Sequence, residues 1–397
     1  MADVRPFRAL RPRDDLAERV IAPPYDVLTE AEARGIAQER HSFVRITRSE
    51  VDLPEGSDAH SEEAYRKARE NLDAFVAQGW LVEDDAPTYY LYGQTMGEHR
   101  QIGVLAACSV DEYDRGDIAK HEFTRPDKED DRTHHMDVLD HQVGLVFLTY
   151  RNTPRLAYQL GILANREPAW RVTTEDGVEH ALWPVEGDWV ERLREAFAEV
   201  PKLYIADGHH RSAAASRIHA QRGTEASGYF LAGLFPHDKL MVLPYNRVVH
   251  DLHGHTPDEL MAALQQRFEV SPGPSEPERR GEISMYLSGT WHRLTPKAVP
   301  DDVVGRLDVA VLQNEVLQPL LGIDDPRRSS RITFVGGIHG PDRVAALTDA
   351  REGAVGFVMY PTGLEQLFDV ADAGQVMPPK STWFEPKLRE GVVVRKL

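Results

Sequence analysis

An apolar run, Leu203 to Ala206, leads without interruption into Asp207-Gly208-His209-His210-Arg211 and then into Ser212-Ala213-Ala214-Ala215. Few arrangements accommodate that order. The apolar run reads as a short strand, the alanines as the start of a helix, and Gly208 as the tight turn between them. A strand that turns straight into a helix leaves the first N–H groups of the helix pointing at whatever lies above the turn. Those groups and the helix dipole favour an anion. Gly208 lets a ligand approach the backbone, and Arg211 can grip a phosphate through two N–H bonds. Asp207 can hold a metal ion or accept a proton. A plain turn with Asp207 as helix cap is the simpler alternative. It leaves one acid, two imidazoles and a guanidinium within five residues without a purpose.

The chain around this stretch has 397 residues, enough for two or three domains. Its formal net charge is -18, with 46 Lys and Arg against 64 Asp and Glu. A duplex-binding protein needs a basic face to neutralise phosphates. No Lys/Arg-rich run stands out here, so a small nucleotide held by a few local cations fits better than DNA. The one cysteine, Cys108, excludes an internal disulfide and a cysteine-based zinc site. The first ten residues lack a signal-peptide core, and no stretch is long and apolar enough to span a membrane. The expected location is the cytoplasm.

Before the turn, Ala22-Pro-Pro-Tyr-Asp-Val-Leu28 cannot be helical because of its paired prolines. It can bring Tyr25 or Asp26 to a ligand. Thr29 then caps a helix from about Glu30, with Glu32 completing a capping box. Ser42 to Thr47 reads as a strand. Ser61 to Gln78 reads as a helix whose buried face carries Tyr65, Ala68, Leu72, Phe75 and Val76. Thr88–Thr95 and Gln101–Val110 read as a hairpin turning at Gly97, and Val143–Tyr150 as a central strand. Between the last two lies a second polar cluster, Lys120 to Arg132, followed by His134, His135 and His141. It offers Arg125, Lys128 and Arg132 for phosphate, and Glu122 and Asp127 for magnesium. His134 and His141 fall on one face if the segment is helical throughout. Two clusters this polar are expected to fold together into one site. Later in the chain, Thr256 opens a helix by a capping box with Pro257 at its first position. Ser271–Gly281 reads as a linker, and Lys380-Ser381-Thr382 as a short anion-friendly loop.

Gly208-His-His-Arg211 followed by Ala213-Ala214 resembles the Gly-x-(His/Arg)-Arg-x-x-Ala box of the ParB/sulfiredoxin superfamily, which cradles nucleotide phosphates there. Asp207-Gly-His-His-Arg211 is more similar still to the free-serine kinases of that superfamily, which phosphorylate the hydroxyl of L-serine from ADP or ATP. Ala22 to Leu28, Lys120 to Glu129 and Met377-Pro-Pro-Lys-Ser-Thr382 resemble a domain-of-unknown-function family often labelled ParB-like. The resemblance implies an α+β fold with mixed sheets, a central ParB/sulfiredoxin-like phosphate-binding unit and a smaller C-terminal α/β region. The expected domains are residues 1–150, 151–270 and 282–397. The implied function is transfer of phosphate between ADP or ATP, with Mg²⁺, and the hydroxyl of a free amino acid such as serine. The catalytic candidates are Asp207, His209, His210 and Glu30, the last because those kinases use a glutamate upstream of the box. The phosphate candidates are Gly208, Arg211, Arg125, Lys128, Arg132 and Lys380, and the metal candidates Glu122 and Asp127. The alternatives are a nucleotide-responsive regulator without turnover and a metal-dependent hydrolase built on the histidines.

Overall fold

A computed structural model describes residues 2–397. The fold is α+β with several sheets, one of them mixed. The chain forms two compact units, one comprising the residues up to Leu240 together with Pro386–Leu397, the other Met241–Glu385.

The first unit is built on a nine-stranded sheet. Across it run Ile118–Ala119, Leu203–Asp207, Val146–Tyr150, Tyr229–Pro236, His99–Ser109, Tyr90–Met96, Glu179–Pro184 and Trp170–Thr173, with Val4–Arg5 paired to His99–Ser109 off this path. Two pairings are parallel, Leu203–Asp207 with Ile118–Ala119 and Tyr229–Pro236 with Val146–Tyr150; the others are antiparallel. The central strand Val146–Tyr150 is buried at every position, as its continuous apolar sequence requires. The helix His209–Arg222 packs its Ala213, Ala214, Ala215 and Ile218 into the main core with Leu148, Ile205 and Leu234. Small alanines let the helix lie close to the sheet, which fixes where its N-terminus points. A second core, with Phe43, Val44, Ile46, Leu72 and Phe75, gathers the N-terminal helices.

Several local expectations hold. Thr29 accepts from the Glu32 amide and Glu32 from the Thr29 amide, starting the helix Glu30–Ile36. The helix Glu62–Ala77 buries Tyr65, Ala68, Leu72 and Phe75, although Val76 is 45% exposed. The hairpin Tyr90–Met96/His99–Ser109 forms in register. Ser42–Thr47 differs: Val44–Thr47 is a helical turn whose Val44 and Ile46 are wholly buried. A short apolar run buried on all sides carries no period that separates strand from helix. The polar cluster becomes the helix Pro126–Leu139 with proline at its first position. His141 lies beyond that helix in a short strand, so it does not share a face with His134.

The units do not follow the expected boundaries. The division at residue 150 would cut between Val146–Tyr150 and its sheet partner Leu203–Asp207. Ser271–Gly281 is not a link between units, because Phe268–Pro272 on one side of it and Thr290–Pro296 on the other pair within one sheet. That sheet, in the second unit, has six strands and is antiparallel throughout, in the order Phe268–Pro272, Thr290–Pro296, Ile283–Leu287, Val355–Met359, Tyr245–Val249, Ile332–Gly336.

Candidate functional site

Leu203–Asp207 is a strand, Gly208 a turn, and His209–Arg222 a helix, in the order the sequence implies. Gly208 has φ +95°, in the left-handed region that side chains avoid. A Cβ there would also stand 3.3 Å from Val146 Cα. The conformation turns the Gly208 amide onto Asp207, whose Oδ1 accepts from it at 2.8 Å. No side chain caps the helix.

A cleft opens at this turn, lined by Tyr25, Asp26, Glu122 and the run Asp207 to Arg211. Burial works against the Asp207 carboxylate, but Lys387 at 3.6 Å and Arg211 at 4.0 Å hold its pKa down, to about 2. Arg211 is largely buried, and its Nη1 donates to the Leu145 carbonyl. Burial opposes the guanidinium charge; Asp207, Asp26, Tyr25 and Glu390 outweigh it and raise its pKa. Arg211 therefore remains charged with surrounding acids that an incoming anion must compete with.

The second polar cluster meets this turn through its backbone. The His121 amide donates to His209 Nε2 at 3.5 Å, and the Arg125 amide to His210 Nε2 at 3.0 Å. The His121 and His209 rings stand edge to face, 4.6 Å apart. Burial lowers the pKa of all three rings: His121 to about 4, His209 well below its usual value, and His210 in the same direction. All three are neutral at pH 7. The helices Pro126–Leu139 and His209–Arg222 are further tied by Arg217 to Asp130 at 2.7 Å and by Arg222 to Asp137 at 2.8 Å.

The remaining expected residues divide. Glu122 lines the cleft. Arg132 lines an adjoining cavity that shares Tyr25 and Arg211 with it. Its guanidinium lies 4.1 Å from the centre of the Tyr25 ring and pairs with Asp131. Arg125 and Asp127 are exposed and form a fork with each other, at 3.1 and 2.7 Å. Lys128 is exposed in the first turn of its helix. Glu30 lines neither cavity: it accepts from Arg34 at 2.9 Å and from the Gly56 amide at 3.5 Å. Lys380 belongs to the second unit, where its Nζ donates to the Tyr245 hydroxyl at 3.3 Å.

Sequence reasoning missed Lys387 and Glu390. Both come from the C-terminal segment, which returns to the first unit and pairs the Glu390 backbone with Ala22 in both directions. Glu390 is 3% exposed, its Oε2 has no hydrogen-bond partner among the described residues, and it lines the adjoining cavity. Burial pushes its pKa up to about 7, against the pull of Thr47, Arg211 and Arg132. Nothing local in the sequence marks either residue. Tyr25 and Asp26 were legible from the paired prolines before them. Their turn is held by Arg48, which donates to the carbonyls of Tyr25 at 3.1 Å and Leu28 at 2.8 Å.

Among the described residues no helix is long and apolar enough to cross a membrane. No curated protein matches the sequence. Among solved structures the chain is similar to SbnI with a C-terminal truncation from Staphylococcus aureus, at 12% identity and TM-score 0.39, over 72% of this chain and 84% of that one. It is similar to a variant of a free serine kinase in complex with ADP, at 14% identity and TM-score 0.36, over 71% and 87%. A conserved hypothetical protein from Pyrococcus furiosus gives 13% and 0.35, over 71% and 90%. Residues 4–310 match the family described as Protein of unknown function (DUF1015), and the chain belongs to that family.

Proposed function

We propose that this protein is a small-molecule phosphotransferase that moves a phosphoryl group between ADP or ATP and the hydroxyl of a free amino acid such as serine. The observation that carries the reading is the cleft at Gly208, where a backbone open to close approach, a buried arginine and the carboxylates of Asp26, Glu122 and Asp207 converge. Phosphoryl transfer asks little covalent chemistry of a protein; it needs in-line positioning and stabilisation of charge. The amides at the start of the helix and the Arg211 guanidinium bind the phosphates in this reading, with His209 and His210 beside them. Asp207, held ionised by Lys387 and Arg211, accepts the hydrogen bond of the acceptor hydroxyl and orients its oxygen. A carboxylate held at about 2 is a weak base, so orientation is the larger part of its task. A Mg²⁺ carried by the nucleotide would be held by Glu122 in the cleft and would supply charge neutralisation; Asp127 would join only by leaving Arg125. Arg132, on the adjoining cavity, is a further cation for phosphate in this reading. Arg125, Lys128, Glu30 and Lys380 have no role in this version of the reading. The hydroxy amino acid as acceptor follows from the resemblance of Asp207-Gly-His-His-Arg211 to the box of the free-serine kinases.

Nucleotide binding is the first test. Thermal unfolding with ADP, ATP or CTP plus Mg²⁺ is expected to rise with at least one of them. A ligand at about 100 times its Kd adds roughly 2.7 kcal/mol. Unchanged unfolding with every nucleotide rejects the reading.

A further inference from the structure

Glu122 has closer companions than Asp127. The ligand atoms of His121, Glu122 and His209 all lie within 4.8 Å of one another. His121 is 3% exposed, and its Nδ1 has no hydrogen-bond partner among the described residues. A neutral imidazole has one donor and one acceptor nitrogen, so in either tautomer a buried polar atom is left unmatched. Among the described residues the His209 ring accepts from the His121 amide at 3.5 Å, the outer limit for such a contact. Ligation through that nitrogen gives up only this weak contact, and ligation through the other gives up none.

We infer that His121, Glu122 and His209 form a binding site for a borderline first-row divalent ion of the Zn²⁺ class, opening onto the cleft beside Gly208. Two imidazoles and one carboxylate suit such an ion better than Mg²⁺, which prefers an all-oxygen octahedron. Zn–N bonds of about 2.0–2.1 Å and Zn–O bonds of about 2.0–2.2 Å hold ligand atoms closer to one another than the 4.8 Å limit within which these three lie. Glu122 is exposed and sits in the connection before the helix Pro126–Leu139, so it can move closer to the two rings. Asp207 faces both rings with a negative charge that favours a cation, while Lys120 acts against one at His209. Three protein ligands leave a fourth position open toward the cleft. That a nucleotide phosphate oxygen fills it rests on the phosphotransferase reading; the protein ligands do not.

The test uses the full-length protein, stripped with a chelator and titrated with Zn²⁺ in the absence of nucleotide, by calorimetry and by competition with a chromophoric zinc indicator. One equivalent is expected to bind and to resist a large excess of Mg²⁺. Glu122→Gln changes an exposed side chain and leaves the fold intact. It and His209→Asn are each expected to weaken Zn²⁺ binding by about 100-fold or more, since loss of even a group that only orients a ligand costs about 10–100-fold. His134→Gln, on the helix but outside the cluster, is expected to leave it unchanged. Absence of a stoichiometric equivalent, or equal affinity in wild type, Glu122→Gln and His209→Asn, overturns the site. Repeating the titration with ATP separates the two claims. Tighter Zn²⁺ binding with ATP supports both. One equivalent of Zn²⁺ that responds to the three variants as above, but not to ATP, supports the metal site and counts against the phosphate in the cleft.

Discussion

Glu390 is the residue whose environment departs furthest from what its sequence neighbours imply. An acid whose pKa rises on folding, here from an ordinary 4.5 to about 7, binds its proton more tightly in the folded chain. Below pH 4.5 both states are protonated. Between about 4.5 and 7 the unfolded chain has lost a proton that the folded one keeps, so this group lowers stability as pH rises through that window, by about 3 kcal/mol in all. Glu390→Gln keeps the shape and the neutral form. Its unfolding free energy is expected to match wild type near pH 4 and to exceed it by up to about 3 kcal/mol above pH 8. Denaturant unfolding at both pH values checks this; a constant difference across the range refutes it. The same residue marks a boundary of what the sequence reveals. Asp207, Gly208, His209, His210 and Arg211 are legible because they are consecutive, and their order alone dictates strand, turn and helix. Glu390 and Lys387 reach the same region through tertiary folding of the C-terminal segment, and no local pattern records that.

The strand–turn–helix element depends on one backbone angle. Gly208 at φ +95° aims the helix N-terminus into the cleft, and a side chain there meets Val146 as well as an unfavourable backbone. Gly208→Ala is expected to cost about 1–2 kcal/mol from the left-handed conformation alone. That lowers the thermal midpoint by several degrees, at roughly 2–4 °C per kcal/mol for a unit this size, and removes any stabilisation by nucleotide. A variant that keeps both the wild-type midpoint and the nucleotide response contradicts the role given to this turn. Other elements were legible to the degree that their signal was local. The capping boxes at Thr29 and Thr256 are written within four residues and form as expected. The buried turn Val44–Thr47 has no periodicity, and its state is decided by the helix Glu62–Ala77 and the core around it. Ser271–Gly281 has the composition of a linker because it is an exposed excursion between two strands of one sheet.

At the scale of the molecule, charge and sheet topology decide different questions. The net charge of -18 sets the long-range field. Since binding to duplex DNA rests on neutralising phosphates, no specific complex is expected at physiological salt. A sequence-selective gel shift that resists added salt reverses that expectation. The nine-stranded sheet, with the helix His209–Arg222 packed on it, sets where the cleft forms and which distant segments reach it. The central claim is that this cleft transfers phosphate. Mass spectrometry of the products from serine and a panel of other hydroxylated metabolites, incubated with ADP or ATP and Mg²⁺, tests it most directly. Wild type is expected to form a phosphorylated acceptor. Arg211→Ala is expected to weaken nucleotide binding and slow turnover by about 10²–10³-fold; Asp207→Asn is expected to keep nucleotide binding while turnover falls by about 10²-fold, the loss that a misplaced reacting group brings. A phosphorylated product formed at the wild-type rate by both variants, or no product from any acceptor while nucleotide binds, contradicts the account.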